Sequence, residues 1–218
     1  MRSFSLQKRQ RQAVRILQEL KKLFPPEKTV LWYKNPWELL VAVILSAQCT
    51  DAQVNKVTEK LFKKYRTLED YVKASASQRA VREFEKDIFS TGFYKNKTKN
   101  ILAAAKVVKK EFGGKVPRTM VELLRIPGVG RKTANVVLGN AYNVVEGIAV
   151  DTHVQRISQK LGLSRHSDPN KIERDLMELF PKKEWLYLTY YLIEYGRQYC
   201  PARKHDHEKC PLTKLALL

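Results

Sequence analysis

The chain has few cysteines, no long hydrophobic run and little acidic charge, and each shortage excludes a class of protein. Three cysteines in 218 residues are too few for a disulfide scaffold and favour a reducing, intracellular compartment. The longest apolar run, from Leu39 to Leu45, is far too short to span a bilayer, so we expect no membrane partner. Only 22 Asp and Glu oppose 41 Lys and Arg, and the net charge of +19 favours a polyanion such as nucleic acid as the partner.

Sheet patterns are also lacking, because no stretch alternates apolar and polar residues for long enough. The basic, acid-free start superficially resembles an organelle transit peptide, but Ala13, Ile16, Leu17 and Leu20 share one helical face, which favours a first helix of the fold. The remaining helical patterns cover 39–47, 50–65, 68–74, 77–89, 97–112, 119–125 and 185–195, with further helices starting at Arg131, Asp151 and Pro169. The sequence therefore predicts an all-α fold.

The segment Ile126-Pro127-Gly128-Val129-Gly130-Arg131-Lys132 predicts a tight turn between two helices. Both glycines can adopt backbone angles that other residues avoid. Their lack of side chains lets backbone N–H groups reach an anion at the N-terminus of the next helix. We interpret the segment as a helix-hairpin-helix that binds DNA phosphate through Gly128, Val129, Gly130 and Arg131. A plain helix–loop–helix with a glycine-rich packing turn is the alternative that Gly-x-Gly alone leaves open.

Lys132 and Asp151 are the candidate catalytic residues. Lys132 lies in the first turn of the second helix, where the helix dipole disfavours a cation, and a nucleophilic amine must be neutral. Its simpler role is to pair with a DNA phosphate. Asp151 follows the apolar residues Ile148, Ala149 and Val150 and precedes a helix, which is the position of an N-cap. A cap and a catalytic role are compatible, because a cap carboxylate can also face a cleft.

Several segments resemble the endonuclease III family of base-excision-repair DNA glycosylases. They are LRIPGVGRKTANVVL at 124–138, IAVDTHV at 148–154, LSAQCTD at 45–51 and GFYKNK at 92–97. The resemblance implies that Lys132 attacks C1′ of the damaged nucleotide and that Asp151 is the essential aspartate. It also implies that Gln48 enters the DNA where the base has left and that Phe93 is a second wedge. Without the resemblance, Gln48 reads as a polar turn residue and Phe93 as a core aromatic.

The C-terminal segment departs from the family pattern. Members commonly hold a [4Fe–4S] cluster with C-x6-C-x2-C-x5-C, but only two of these four positions are cysteines in this chain, Cys200 and Cys210, and the other two are His207 and Ala216. Two thiolates cannot hold the cluster as four do, so we expect a cluster-lacking, metal-free loop in which Lys204 still contacts phosphate. Zinc is the alternative, with the candidate ligands Cys200, His205, His207 and Cys210. Against it, His-x-His in an extended segment places the two rings on opposite sides.

The resemblance implies two helical domains that flank a DNA-binding cleft. One is a six-helix barrel at 29–145 that carries the hairpin, and the other joins 1–28 to 146–218. A lysine at the hairpin implies a bifunctional glycosylase and abasic-site lyase that acts, as a monomer, on duplex DNA with damaged bases, with oxidised pyrimidines as the usual substrates. We expect it in the cytoplasm or at the nucleoid. A non-catalytic helix-hairpin-helix DNA-binding protein and a monofunctional glycosylase are the alternatives.

Overall fold

A computed structural model of the protein describes residues 6–216, and the regular secondary structure in that range is entirely helical, which confirms the all-α prediction. The α-helices are α1 (Leu6–Leu23), α2 (Pro36–Leu45), α3 (Asp51–Lys64), α4 (Leu68–Ala74), α5 (Gln78–Ile88), α6 (Tyr94–Glu111), α7 (Met120–Leu123), α8 (Arg131–Tyr142), α9 (Thr152–Lys160), α10 (Pro169–Leu179) and α11 (Trp185–Gln198). Short 3-10 helices occupy Phe89–Thr91, Lys182–Glu184, His207–Lys209 and Thr213–Leu215. Among the described helices, none is both long and apolar enough to cross a membrane.

The chain divides into two compact units. The central unit, Val30–Val144, contains α2 to α8. The terminal unit comprises the chain up to Thr29 and the chain from Val145 onward, and it contains α1 and α9 to α11.

Helix α2 forms the middle of the central unit. It begins at Pro36, one turn before the predicted start, because Asn35 caps it by accepting a hydrogen bond from the Glu38 N–H and proline suits the first helical position. All of its residues after Pro36 are buried, as expected for a helix that is apolar on every side. Aromatic rings extend this core, with centroids 5.1 to 5.8 Å apart, at Trp37, Tyr65, Tyr71 and Phe84.

The terminal unit has its own core, to which α1 contributes Ala13, Ile16, Leu17 and Leu20. The prediction of a structural first helix is therefore confirmed. The same core includes residues of α9, α10 and α11 and the thiols of Cys200 and Cys210. An ion pair between Lys21 Nζ and Glu184 Oε1, at 2.7 Å, joins α1 to the short helix before α11.

Candidate active site and DNA interface

The hairpin joins α7 to α8 in the central unit, and Gly128 is required at its turn. Gly128 has φ +80°, which side-chain-bearing residues avoid, and a Cβ there would lie 2.7 Å from Cβ of Asn100 on α6. The turn is closed by the Val129 N–H, which donates to the Ile126 carbonyl at 3.1 Å. Val129 itself is buried, so its side chain offers no surface to DNA. Backbone geometry and packing together therefore fix glycine at 128.

Gly130 differs from Gly128 in backbone conformation and in packing. Its φ of −99° is open to any residue, and apart from its chain neighbours no heavy atom of the described residues lies within 4 Å of the place a Cβ would take. It is the N-cap of α8, and it gives that helix no side-chain cap. Of the two hairpin glycines, only Gly128 therefore adopts a backbone angle that other residues avoid. What its missing side chain provides is open space beside the first N–H groups of α8.

Lys132 is the second residue of α8, and its side chain is partly buried. Helix α8 is anchored by its buried face, which includes Ala134, Val137 and Leu138. The Cα of Lys132 is therefore held on a well-packed helix, two residues after the uncapped helix start at Gly130.

Asp151 is the N-cap of α9 in the terminal unit, as the local sequence predicts. Its Oδ1 accepts a hydrogen bond from the Val154 N–H at 2.8 Å. The side chain is only partly buried, and the cap bond uses one of the two carboxylate oxygens. Capping therefore leaves a negatively charged oxygen at the start of a helix, where the dipole stabilises it.

Gln48 and Phe93 lie in two loops of the central unit and share an unusual backbone. Gln48, between α2 and α3, has φ +52°, and Phe93, at the N-cap of α6, has φ +46°. Both side chains are exposed, Phe93 by 66%. Exposure excludes the core-aromatic interpretation of Phe93. Non-glycine residues with positive φ cost free energy and concentrate at functional sites.

Lys97 joins these two loops, and the sequence analysis missed it. Its side chain is only 4% exposed, and Nζ donates to the carbonyl oxygens of Leu45 and Thr91, each at 2.8 Å. Leu45 lies three residues before Gln48, and Thr91 two before Phe93. Burial lowers the pKa of Lys97. A signal existed in the sequence, because Lys97 shares the apolar face of Ile101, Ala104 and Val108.

The Lys97→Met variant should lower the free energy of unfolding by about 2 kcal/mol, because it keeps the aliphatic stem but leaves two carbonyls without their donor. Chemical denaturation measures this loss. Lys95→Met is the matched control, since Lys95 is exposed on the same helix and should change little. Equal stability of Lys97→Met and the native protein would show that other donors replace the ammonium.

The C-terminal loop brings its four candidate ligands together. One ligand atom from each of Cys200, His205, His207 and Cys210 lies within 4.8 Å of the others. The expectation that the two rings point to opposite sides is wrong: their centroids are 5.9 Å apart. Asp206, between them, has φ −76° and ψ 100°, and it caps a 3-10 turn that starts at His207, so the segment does not continue as a regular strand.

Burial shifts the pKa of two side chains in this loop. Burial, followed by the nearby Cys200, raises the pKa of the Cys210 thiol to about 11. Burial and the charge of Lys160 lower the pKa of His207, whose Nε2 is buried without a hydrogen-bond partner in the described part of the chain. The residues do not fit a four-iron cluster, because only two thiols are present and Ala216 offers no donor. The convergence of donors does not support a metal-free loop either.

His153 also has a partner that the sequence did not indicate. Arg156 on α9 approaches His153 Nδ1 at 3.4 Å and donates to the Gly196 carbonyl at 3.2 Å. Its other terminal nitrogen donates to the Cys200 carbonyl. The start of the cysteine loop is therefore bonded to the helix that Asp151 caps.

Helices α7 and α8 are joined by a short glycine turn, and the first N–H groups of α8 carry no side-chain cap. This arrangement is that of a helix-hairpin-helix protein. The profile of the HhH-GPD superfamily of base excision DNA repair proteins matches residues 41–182. Endonuclease III of Synechocystis is 50% identical over 208 residues, which cover 95% of this chain and 92% of that protein.

Two solved structures extend the likeness to DNA complexes. A non-covalent endonuclease III–DNA complex matches with a TM-score of 0.87 and 45% identity, covering 95% of each chain. A trapped endonuclease III–DNA covalent intermediate matches with a TM-score of 0.87 and 44% identity, covering 99% of this chain and 97% of the other. The chain therefore belongs to the endonuclease III family within the HhH-GPD superfamily.

Proposed function

We propose that the protein is a base-excision-repair DNA glycosylase with abasic-site lyase activity. The observation that carries this proposal is the position of Lys132 in the first turn of the well-packed helix α8, next to the uncapped N–H groups that follow Gly130. Membership of the endonuclease III family supports it, since a relative in that family has been trapped as a covalent DNA intermediate. The substrate is duplex DNA that contains either a damaged base or an abasic site. The damaged base that we propose is an oxidised pyrimidine. Such a substrate places the enzyme at the nucleoid.

The hairpin binds a DNA phosphate. The first N–H groups of α8 lack a side-chain cap, and the helix dipole adds to their attraction for an anion. Gly130 leaves room for a phosphate oxygen to approach, and Arg131 adds a positive charge. The net charge of +19 supplies non-specific affinity for the polyanion.

Gln48 and Phe93 keep the nucleotide extruded. Chemistry on a base inside a duplex requires that it leave the stack, which costs a few kcal/mol. Gln48 fills the vacated space and hydrogen-bonds the unpaired base, while Phe93 wedges between neighbouring bases. The hydrogen bonds of Lys97 support these roles, because they connect the loop of Gln48 to the loop of Phe93.

Lys132 is the nucleophile. Its neutral amine attacks C1′, and the bond from C1′ to the base breaks with the electron pair going to the base, which is then protonated. The sugar ring opens to a Schiff base, and removal of a C2′ proton expels the 3′ phosphate by β-elimination. Asp151 stabilises the positive charge that develops on the sugar and assists proton transfer. Water finally releases the enzyme.

The two hairpin glycines should respond differently to alanine. Gly128→Ala should lower the free energy of unfolding by about 2–4 kcal/mol, from positive φ and the clash with Asn100. Gly130→Ala should cost less than about 1 kcal/mol. It should nonetheless weaken DNA binding, because the methyl group enters the space of the phosphate. Chemical denaturation measures the stability of both variants, and titration with an abasic-site duplex measures their DNA affinity. Unchanged affinity of Gly130→Ala would show that no phosphate binds beside Gly130.

Borohydride trapping on a duplex with one abasic site tests the function. Reduction converts a Schiff base into a stable adduct, so we expect a covalent protein–DNA product in the presence of chelator. An undamaged duplex of the same sequence is the control and should give none. Tight binding to the abasic duplex without any adduct would instead indicate a monofunctional glycosylase or a non-catalytic binding protein, which removal of a damaged base would then distinguish.

A further inference from the structure

The four donors of the C-terminal loop lie close enough together to surround a single ion, because every pair of ligand atoms is within 4.8 Å. Zn²⁺ bonds of about 2.0–2.3 Å place neighbouring ligand atoms about 3.3–3.8 Å apart. Cys200 Sγ lies 3.6 Å from His207 Nδ1, and Cys210 Sγ lies 3.3 Å from His205 Nε2. The ligand atoms therefore already form two pairs at the separation that a bound zinc ion requires.

One histidine is oriented as a metal ligand would be. His205 Nδ1 lies 2.9 Å from the Arg203 carbonyl, so a proton on Nδ1 leaves Nε2, the atom facing Cys210, with its lone pair. Hydrogen bonding of the second ring nitrogen to a carbonyl is the usual way in which a ligating histidine is fixed. His205 is therefore held in the tautomer that presents Nε2 to an ion.

The loop is also closed in the manner of a structural site. Cys200 is fully buried and Cys210 is 4% exposed, and the loop supplies four side-chain donors, as many as a tetrahedral ion takes. A catalytic zinc keeps one position open for water, whereas a structural zinc does not. Two thiolates balance the charge of Zn²⁺, which suits a loop that is already rich in cations.

We propose that Cys200, His205, His207 and Cys210 bind one structural Zn²⁺, which replaces the four-iron cluster of the family. On binding, each thiol releases its proton to solvent and both imidazoles remain neutral. The ion closes the loop that carries Arg203 and Lys204, and Arg156 bonds that loop to α9 through the Cys200 carbonyl. A role of Lys204 in phosphate contact rests on the proposed function; the metal site does not.

Elemental analysis of the untagged protein after gel filtration in chelator tests the site. We expect about one zinc per chain and no stoichiometric iron. His205→Ala should retain less than about 0.1 zinc per chain, and because His205 is only partly buried the variant should still fold. His166→Ala and Cys49→Ala are the controls, since neither residue belongs to the loop, and both should retain full zinc.

Cobalt and thiol titration give independent readings. Co²⁺ in place of zinc should show the thiolate charge-transfer and visible bands of a tetrahedral site, and His205→Ala should lose them. Stripping the metal under denaturing conditions should free three thiols, the full cysteine content. Zinc-free protein without a cobalt spectrum, iron with sulfide at cluster stoichiometry, or a single free thiol owing to a Cys200–Cys210 disulfide would each overturn the proposal. None of these results depends on catalytic activity.

Discussion

Base removal and strand cleavage are expected to fall together in Lys132→Ala, on the order of 10³-fold or more, while affinity for an abasic-site duplex changes little. In the proposed mechanism both reactions use the same amine, since β-elimination needs the Schiff base that Lys132 would form. The fold should persist, because alanine favours a helix and the buried face of α8 is untouched. Single-turnover kinetics on a damaged duplex, with borohydride trapping on the same protein, measures the effect.

Two control variants separate the nucleophile from its charge. Lys132→Arg keeps a cation near the phosphates, but a guanidinium stays protonated in proteins and cannot attack C1′. It should therefore bind DNA and yield no adduct. Lys106→Ala removes an exposed lysine from α6 and should leave turnover unchanged. Turnover by Lys132→Ala within a few-fold of the native rate would reassign Lys132 to charge pairing with a phosphate.

Local features of the chain were predictable because their causes are local. The cap at Asp151 follows from its place before a helix, and the turn at Gly128 from the need for a positive φ. The difference between the two glycines was not predictable. It depends on how closely α6 approaches the turn, and that approach is set by packing between helices distant in sequence.

The side on which His205 and His207 lie shows the same limit. A regular extended His-x-His places the rings on opposite sides, but here a 3-10 turn capped by Asp206 begins at His207 and the ring centroids are 5.9 Å apart. That turn is held in place by Thr213, whose Oγ1 donates to the His207 carbonyl at 2.7 Å. The four donors could be identified from the sequence. Their convergence could not, because it depends on the conformation of the backbone between them.

Asp151→Asn is expected to reduce turnover by about 10²- to 10⁴-fold with little change in stability. Asparagine caps a helix as well as aspartate, so its side-chain oxygen can still accept from the Val154 N–H. The substitution removes the negative charge that, in the proposed mechanism, stabilises the developing cation on the sugar, and it also removes the capacity to accept a proton. Single-turnover rates and thermal unfolding of the same preparation measure the two quantities.

Asp168 supplies a matched control for this variant, because it caps α10 in the same unit by accepting from the Lys171 N–H at 2.9 Å. Asp168→Asn should leave both turnover and stability unchanged. Alanine at either position should cost about 1 kcal/mol of stability through loss of the cap. If Asp151→Asn matched Asp168→Asn in turnover, Asp151 would be a helix cap alone, and the proton transfer would need another group. If only Asp151→Asn loses turnover, and its stability is unchanged, the charge of the Asp151 carboxylate contributes to catalysis independently of its role as a helix cap.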